Sequence, residues 1–521
     1  MNKKQYNNII SHSLQYDCKD VENPLDTAKI IFNNMGVALP QGTIKEVYDT
    51  VSTNEYMGWK KCTIEEAKEA ADKGVAAIGI SENKIVVLSA EDEEQPVTQT
   101  ASVLTLTDNT PAVAVANLQY YSYSYGSTTG GSTTTIPWRK AIIIIPGIMG
   151  SELFAGEQIA DFEAGTKLWD PSVGIDADDK IRKLVCTSNG NSVYNIYAGN
   201  QNFGAKNTYK RMYNRLWSIF SNTYDVLYFP YDWRQSCSEA AQNLNSYINN
   251  LNYAQVVLVA HSMGGLVASS YLAMGVSQRN KVEKLITLGT PFFGAPELIH
   301  VYRQGLDLGF LPELVVNDDI KSIMPNIKSV YELLPCQKWF DYTNKKVFKY
   351  TKLYTVPGYK DDGETFISQT YNDTKNRLYK KLNNSNSTLL SQAESVHMNL
   401  FLNGQHITNY VDSYYIVGTN KETITGIEAT VTGETGQLEM VNYLTTNEGD
   451  GTVPVWSANL GNLYPSKTYY AFGRDHCGEY NFDDNAVEQE GLAVSENVIQ
   501  LIRNIINNNS SLPTGISIGR I

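Results

Sequence analysis

The feature that most constrains this chain is an apolar run that passes through one serine into a second apolar run, VVLVAHSMGGLVASSYL at residues 256–272. The first part is typical of a buried strand and the second of a buried helix. Ala260 and Gly264 lie two positions from Ser262 on either side, and a sharp bend between strand and helix requires small residues there. The pattern predicts a nucleophile elbow that carries Ser262. An ordinary strand-to-helix turn is the alternative.

Six short apolar runs alternate with helical segments after residue 137, and this domain is assigned to residues 137–521. The runs are Ala141–Ile145, Val226–Phe229, Val256–Val259, Leu285–Leu288, Tyr414–Val417 and Tyr469–Phe472. Strands that are apolar at every position indicate a parallel sheet covered by helices on both faces. Together with the serine elbow they predict the α/β-hydrolase fold with a mostly parallel sheet. Residues 292–411 are too many for a simple crossover and predict a cap or lid insertion.

The region before this domain differs in composition. Residues 120–136 are dominated by Tyr, Gly, Ser and Thr, which is typical of a linker. Residues 1–119 combine helical patterns with strand patterns at Ala76–Ile80 and Lys84–Leu88, and they predict a small α+β domain of unknown role.

The segment GWKKCTIEEAKEAADKGVAAIGISENKIVVLSA of this region resembles the amidase domains of the NlpC/P60 and CHAP families. That resemblance implies a catalytic cysteine, for which Cys18 would stand, and a histidine near the strand. Asn83 or Lys84 occupies the expected histidine position. A degenerate, inactive copy is therefore expected.

The charge balance and the cysteines exclude several classes of protein. The net charge is −13, whereas nucleic-acid binding depends on Lys and Arg, so no nucleic-acid partner is expected. Neither a secretory signal nor a membrane-spanning run is found, which makes a cytoplasmic location the default expectation. The cysteines show no CxxC spacing, so they are expected to be buried or free thiols rather than metal ligands.

A serine hydroxyl is a weak nucleophile and needs a base to take its proton. In the α/β-hydrolase fold the acid and then the histidine follow the serine along the chain. His476 lies just after the last apolar run, and Asp450 lies between two glycines in the loop before it. The competing acids are Asp475, Glu448 and Asp412. The other histidines lie in the first region, in the insertion, or next to the serine with the ring expected to face away from the base position: His12, His300, His397, His406 and His261.

The reaction also needs two backbone amides directed at the developing oxyanion. Met263, the residue after the nucleophile, is expected to supply one of them. The second is expected from the glycine-containing loop after the first apolar run, PGIMGS at residues 146–151. Met149 is the preferred donor and Ile148 the alternative. The loop lacks the Lys-Ser/Thr pair of a phosphate-binding loop.

With these residues in place, the chain resembles the lecithin:cholesterol acyltransferase family. The matching segments are IIIIPGIMGSEL at 142–153, PYDWR at 230–234, VAHSMGG at 259–265, LGTPFFGAPE at 288–297, SVYELLP at 329–335 and GDGTVPVWSA at 449–458, followed by His476. The resemblance implies a lipid ester or phospholipid substrate, an acyl-enzyme on Ser262, and no cofactor. By motif match it assigns Asp450 and His476 to the triad, and Met149 and Met263 to the oxyanion hole.

Three further expectations follow from the resemblance. The lid disulfide of the animal enzymes is absent, because residues 153–200 contain only Cys186. Asp232 and Arg234 of PYDWR are expected to form a buried ion pair or loop anchor. The apolar segment Leu306–Val316 of the insertion, and Trp169, either contact lipid or pack internally, so a transient membrane contact through the cap is one interpretation.

Two other functions remain open from the sequence. One is a soluble esterase or thioesterase with the same triad. The other is a surface-binding protein with an inactive hydrolase fold, in which residues 1–119 would be the working module.

Overall fold

A computed structural model of the chain describes residues 140–171, 176–199, 203–251, 253–304, 317–353, 364–367, 370–382, 384–432, 437–482 and 486–519. It also describes three short strands near the N-terminus, Lys61–Cys62, Ile78–Ser81 and Lys84–Val87, which form one small sheet. The last two are the strands predicted there. The rest of the predicted domain at 1–119 with Cys18, the linker at 120–136 and the apolar segment Leu306–Val316 lie outside the described residues. The domain boundaries stay predictions.

The second of two compact units contains residues 139–245 and 254–521 and is built on a seven-stranded sheet. The strands are β1 (Lys140–Ile145), β2 (Tyr224–Tyr228), β3 (Gln255–His261), β4 (Val282–Leu288), β5 (Ser413–Thr419), β6 (Thr468–Phe472) and β7 (Ile516–Ile518). Their order across the sheet is β7-β6-β5-β4-β3-β1-β2. All neighbours pair in parallel except β7, which is antiparallel to β6. The six apolar runs of the sequence are the six parallel strands, so the predicted α/β-hydrolase fold is confirmed.

Helices fill the connections between these strands. The α-helices are Ala177–Arg182, Lys210–Phe220, Cys237–Leu251, Met263–Ala273, Val276–Lys281, Glu297–Gln304, Asn317–Ile323, Lys328–Glu332, Gln337–Thr343, Tyr371–Arg377, Ser387–Asn399, Val455–Ala458 and Glu496–Ile506. Short 3₁₀ turns cover Ala205–Asn207, Met324–Asn326, Tyr379–Lys381, Ile407–Tyr410, Leu460–Asn462 and Pro465–Lys467.

The fold also contains smaller sheets. A four-stranded sheet has the order Glu364–Ile367, Phe348–Leu353, Thr423–Thr432, Gln437–Thr446. A three-stranded sheet contains Lys167–Trp169, Glu152–Ala155 and Ile196–Gly199, and two-stranded pairs join Phe401–Leu402 to Gln405–His406 and Glu479–Asn481 to Ala486–Gln489. The hairpin at 423–446 was not predicted from the sequence, and it separates β5 from the loop that carries Asp450.

The core lies along the centre of the sheet. Residues 141–145 of β1 are fully buried, and the helix Met263–Ala273 after β3 is buried on all sides from Met263 to Leu272. Consecutive buried residues on a strand mean that both faces of the sheet are covered. Strand β3 is likewise buried from Val256 to His261, so a buried strand and a buried helix meet at Ser262.

Four described cysteines, Cys186, Cys237, Cys336 and Cys477, are buried free thiols, as expected. Across the described part of the chain, none of the helices is long and apolar enough to cross a bilayer.

Candidate active site

Ser262 occupies the sharp bend between β3 and the helix Met263–Ala273. Its backbone has φ 54° and ψ −128°, a strained conformation for a residue with a side chain. Its N–H donates to the carbonyl of Leu288 on the neighbouring strand (2.8 Å), which fixes the bend. A Cβ on Gly264 would lie 2.4 Å from the carbonyl oxygen of Ile145, so this position has to be small. The predicted elbow is therefore present.

His476 and Asp450 form a buried pair. The imidazole Nδ1 lies 2.8 Å from Asp450 Oδ2, and the two residues are 5% and 1% exposed. Asp450 Oδ1 accepts the backbone amides of Val453 (2.7 Å) and Thr452 (3.0 Å). Because a carboxylate can only accept, Nδ1 of the imidazole carries a hydrogen, so Nε2 is the nitrogen that holds the lone pair in the neutral ring. This tautomer is the one that a general base next to a serine needs.

Ser262 and His476 line the same cavity, so the structure brings together the three side chains chosen from the sequence. The cavity has a volume of about 40 Å³. Its apolar walls include Leu298, Val301, Met324 and Leu333, all from the predicted cap insertion. The insertion therefore covers the serine.

The competing acids have other partners or lie exposed. Asp475 forms an ion pair with Lys421 (2.7 Å). Asp412 binds Lys284 and Lys467, and Glu448 is exposed. None of these carboxylates contacts the imidazole of His476 among the described contacts, so the geometry favours Asp450.

The histidines of the insertion form hydrogen bonds with groups other than Ser262 and Asp450. His397 bonds the carbonyl of Glu332 (2.7 Å), His406 bonds the hydroxyl of Thr408 (2.8 Å), and His300 bonds the hydroxyl of Tyr443. His12 lies outside the described residues.

The loop after β1 is held against the nucleophile. The Gly147 N–H donates to the hydroxyl of Tyr209 (2.9 Å), and the Gly150 N–H donates to the carbonyl of Gly147 (3.1 Å). With those two amides occupied, the remaining candidates for the oxyanion are the amides of Ile148 and Met149, the alternatives chosen from the sequence. A Cβ on Gly147 would lie 2.8 Å from Ser262 Cβ, which shows how closely the loop approaches.

Met149 itself is buried and has a left-handed backbone, with φ 58°. Its carbonyl accepts the indole N–H of Trp169 (2.8 Å). Trp169 is fully buried and packs edge-on against Trp233, with ring centroids 5.4 Å apart. Of the two roles considered for Trp169, internal packing is correct, and the indole also fixes the orientation of the oxyanion loop. Met263 opens the buried helix, and the first amide of a helix has no acceptor within it.

His261 differs from the expectation that its ring faces away from the site. Its Nδ1 lies 2.8 Å from the Tyr209 hydroxyl, and its Nε2 lies 2.8 Å from the backbone carbonyl of His476. Burial, together with the nearby His476, lowers the pKa of His261 to about 3, so the ring is neutral. Since a carbonyl only accepts, Nε2–H donates to His476 and Nδ1 accepts from Tyr209.

These bonds form a buried chain from the oxyanion loop to the base, Gly147–Tyr209–His261–His476. This role of Tyr209 and His261 was not predicted from the sequence. Tyr209 belongs to none of the recognised motifs, and its contact with the site arises only from tertiary packing.

The PYDWR segment has a structural role, as expected. Arg234 is fully buried and makes a bidentate ion pair with Asp232, with N–O distances of 2.9 and 2.7 Å. The same guanidinium donates to the carbonyl of Leu184 and the hydroxyl of Ser192. It thereby anchors the loop at residues 184–192 to the end of β2.

The described residues contain no group of three His, Cys, Asp or Glu side chains placed to hold a metal ion.

Comparison of the sequence with known protein families finds a match to one family. The sequence profile of the lecithin:cholesterol acyltransferase family matches residues 203–464, half of the chain. The GPI inositol-deacylase of Coccidioides immitis (strain RS) is 43% identical over 54 residues, which are 9% of this chain and 5% of that protein. The chain thus spans only a small part of this curated relative.

Two solved structures match parts of the chain at low sequence identity. A structure described as the Tle4–Tli4 complex is 13% identical, covers 71% of this chain and 98% of its own, and has a TM-score of 0.47. The mature form of the Bacillus licheniformis lipase BlEst2 is 14% identical, covers 67% of this chain and 89% of its own, and has a TM-score of 0.29.

The profile match includes strands β2 to β5 of the seven-stranded sheet, the elbow and the GDGTVP loop. The fold and the match support a coarse class, a lipid-ester hydrolase or acyltransferase. The chain belongs to the lecithin:cholesterol acyltransferase family.

Proposed function

We propose that this protein is a serine lipid-ester hydrolase or acyltransferase, of the phospholipase A or lipase type, that works through an acyl-enzyme on Ser262. One observation carries the proposal. The Ser262 hydroxyl, on a strained elbow, shares a cavity with an imidazole whose Nδ1 is held by a buried carboxylate.

The reaction then follows from the geometry. His476 Nε2 takes the proton of the Ser262 hydroxyl as its oxygen attacks the ester carbonyl. Asp450 holds the imidazole in the required tautomer and stabilises its positive form. The amides of Met263 and Met149 stabilise the oxyanion. The protonated imidazole gives its proton to the leaving alcohol or lyso-lipid, and water or a second alcohol then takes the acyl group by the reverse steps.

The walls of the cavity favour an acyl chain. The walls are apolar side chains, namely Leu298, Val301, Met324 and Leu333. Burial of an acyl chain against them contributes about 0.8 kcal/mol per CH₂ group. The volume of about 40 Å³ is close to that of one or two water molecules. A lipid chain therefore enters after the cap has moved, and we propose that a lipid surface contacts the cap during this step. A cytoplasmic location is proposed only as the default.

Vesicles of mixed phospholipids test the function. The wild-type protein is expected to release fatty acid, or to transfer it to an added long-chain alcohol, and mass spectrometry of the products distinguishes the two. Ser262→Ala should lower turnover at least about 1,000-fold.

Ser270→Ala is the matched control. Ser270 lies on the same buried helix, and its hydroxyl has no hydrogen-bond partner among the described residues. Full lipid turnover by Ser262→Ala would refute the acyl-enzyme. Turnover of soluble thioesters or short esters, with none of phospholipid or neutral lipid, would favour the soluble esterase or thioesterase instead.

A further inference from the structure

A second cavity, with a volume of about 270 Å³, lies away from Ser262. It is lined by Tyr331, by residues 334–338 and by side chains of the helices Tyr371–Arg377 and Ser387–Asn399. It shares no lining residue with the Ser262 cavity. Three of its lining residues, Gln337, Asn372 and Met398, are exposed, so small solutes have access to it.

Cys336 and His397 meet in the wall of this cavity. Both side chains line the cavity and are at most 6% exposed, and the imidazole lies close enough to the thiol to interact with it. His397 Nε2 lies 2.7 Å from the backbone carbonyl of Glu332. Because that carbonyl only accepts, Nε2 carries a hydrogen, and Nδ1 is the ring nitrogen left for the thiol. The imidazole is therefore held in the tautomer that accepts the thiol proton, which is the arrangement of an activated cysteine.

The other charged groups around the pair are neutralised by their own partners. Lys375 pairs with Glu394, and Lys338 pairs with Asp341. The nearby hydroxyls of Tyr371 and Tyr379 are neutral, because burial raises their pKa values. Among the described residues, the remaining ionisable neighbours of the imidazole are the buried carboxyl of Glu332 and the imidazole of His406, whose pKa burial lowers to about 3.

The electrostatics agree with this geometry. Burial alone would raise the pKa of the Cys336 thiol, but the charge and hydrogen bond of His397 and the amides of Trp339 and Lys338 outweigh it, and the pKa falls below the ordinary value. Burial opposes the charged form of His397, yet Cys336 and Glu332 raise its pKa to about 9.

The other three described cysteines are in the opposite situation. Burial raises the pKa values of the thiols of Cys186, Cys237 and Cys477. Cys237 is a close match to Cys336 in burial, but its neighbour is the carboxyl of Glu332 rather than an imidazole. The two cysteines therefore differ in the charge beside the sulfur and in access to the cavity, which Cys336 lines and Cys237 does not.

We propose that Cys336 is a second nucleophilic centre, a thiol that reacts with small disulfides and soft electrophiles entering this cavity, with His397 as its proton acceptor. The proton moves from Sγ to His397 Nδ1, which leaves a thiolate beside an imidazolium. The thiolate attacks one sulfur of a disulfide R–S–S–R, a new S–S bond forms with Cys336, and the original S–S bond breaks. The leaving thiolate takes the proton from the imidazolium. This proposal does not depend on the chemistry at Ser262.

Timed alkylation of the full-length protein tests the proposal. The protein is treated with iodoacetamide at pH 7, quenched, digested, and the rate at each cysteine is read from its peptide by mass spectrometry. Cys336 is expected to react at least about 10-fold faster than Cys237, because the thiolate is the reacting form. Its rate should reach the plateau at a lower pH than that of an ordinary thiol. With 4,4′-dithiodipyridine the mixed disulfide should appear on the Cys336 peptide first.

A second variant isolates the role of the imidazole. His397→Gln should slow the alkylation of Cys336 about 10-fold at pH 7 and move its pH profile upward, while Cys237 keeps its rate. The comparison of Cys336 with Cys237 uses the wild-type protein, so it remains a valid test even if His397→Gln does not fold. A wild-type Cys336 that reacts no faster than Cys237 overturns the proposal, and an unchanged profile in a folded His397→Gln protein overturns the role of the imidazole.

Discussion

Replacing Asp450 by Asn tests how the base is held. One carboxylate oxygen accepts two backbone amides, those of Thr452 and Val453, and the other faces His476 Nδ1. In Asp450→Asn the amide oxygen must stay with the two N–H donors, because the reverse orientation would place NH₂ against them. The NH₂ group then faces Nδ1, which has to become an acceptor, and the hydrogen moves to Nε2. The imidazole can no longer take the proton of Ser262.

The expected loss can be estimated from this tautomer change. For serine triads, a wrong tautomer lowers kcat by about 10,000-fold, or about 5.4 kcal/mol at the transition state. The fold should tolerate the change, because the two bonds from the backbone amides remain and the third only reverses its direction. The loss of the charge-assisted bonds should cost about 1–3 kcal/mol of stability. Turnover of a p-nitrophenyl ester gives kcat, and thermal unfolding gives the stability.

Asp475→Asn is the matched control. It makes the same chemical change next to His476, but its carboxylate pairs with Lys421 and is partly exposed. A partly exposed ion pair contributes about 0–1 kcal/mol, so kcat should change less than about 3-fold. The reasoning fails if folded Asp450→Asn keeps more than a tenth of the wild-type kcat, or if Asp475→Asn shows the large loss instead.

Two further changes test the support of the site. Tyr209→Phe removes the hydroxyl that pairs with the Gly147 amide and with His261 Nδ1. Each buried polar group left without its partner costs about 1–3 kcal/mol, so kcat should fall about 10-fold with KM nearly unchanged. Tyr228→Phe loses the bond to the Gly150 carbonyl, which keeps the backbone amide of Ala205 as a donor. It should leave kcat within about 3-fold, and equal losses would contradict a positioning role for Tyr209. Gly289→Ala places a Cβ 2.8 Å from the triad carboxylate oxygen and 3.1 Å from the imidazole Nδ1, at φ 55°, and should lower kcat at least about 100-fold. Gly404→Ala has a positive φ but no atom within 4 Å, so it measures backbone strain alone, and an equal loss of kcat there would contradict the steric argument.

The local features of the site could be predicted because they are continuous in sequence. The strand, the bend and the helix around Ser262 are adjacent segments, and their apolar pattern matches the structure from β3 through the following helix. Asp450 and His476 could be chosen because the fold sets the chain order of the triad and places both in loops at the same edge of the sheet.

The supporting contacts could not be predicted in the same way. The bond between Tyr209 and His261 joins a helix start to the end of β3, and no periodic pattern encodes it. His261 was expected to face away from the base position, and neighbouring side chains on a regular strand do point to opposite faces. The strained backbone of Ser262 breaks this alternation, so its neighbour also reaches the site.

The smaller β elements were missed for a different reason. The hairpin at 423–446 mixes polar and apolar residues, since it lies outside the fully covered central sheet. Strand β7 is three residues long and pairs at the edge of the sheet, where few contacts constrain its sequence. Short edge elements carry too little hydrophobic pattern to be recognised.

The central claim is that Ser262 becomes covalently modified during the reaction. A fluorophosphonate probe forms a stable adduct with an activated serine, and peptide mass spectrometry locates it. We expect one adduct per chain, on the peptide that contains Ser262, and none in Ser262→Ala. An adduct on another residue, or equal labelling of Ser262→Ala, would contradict the account.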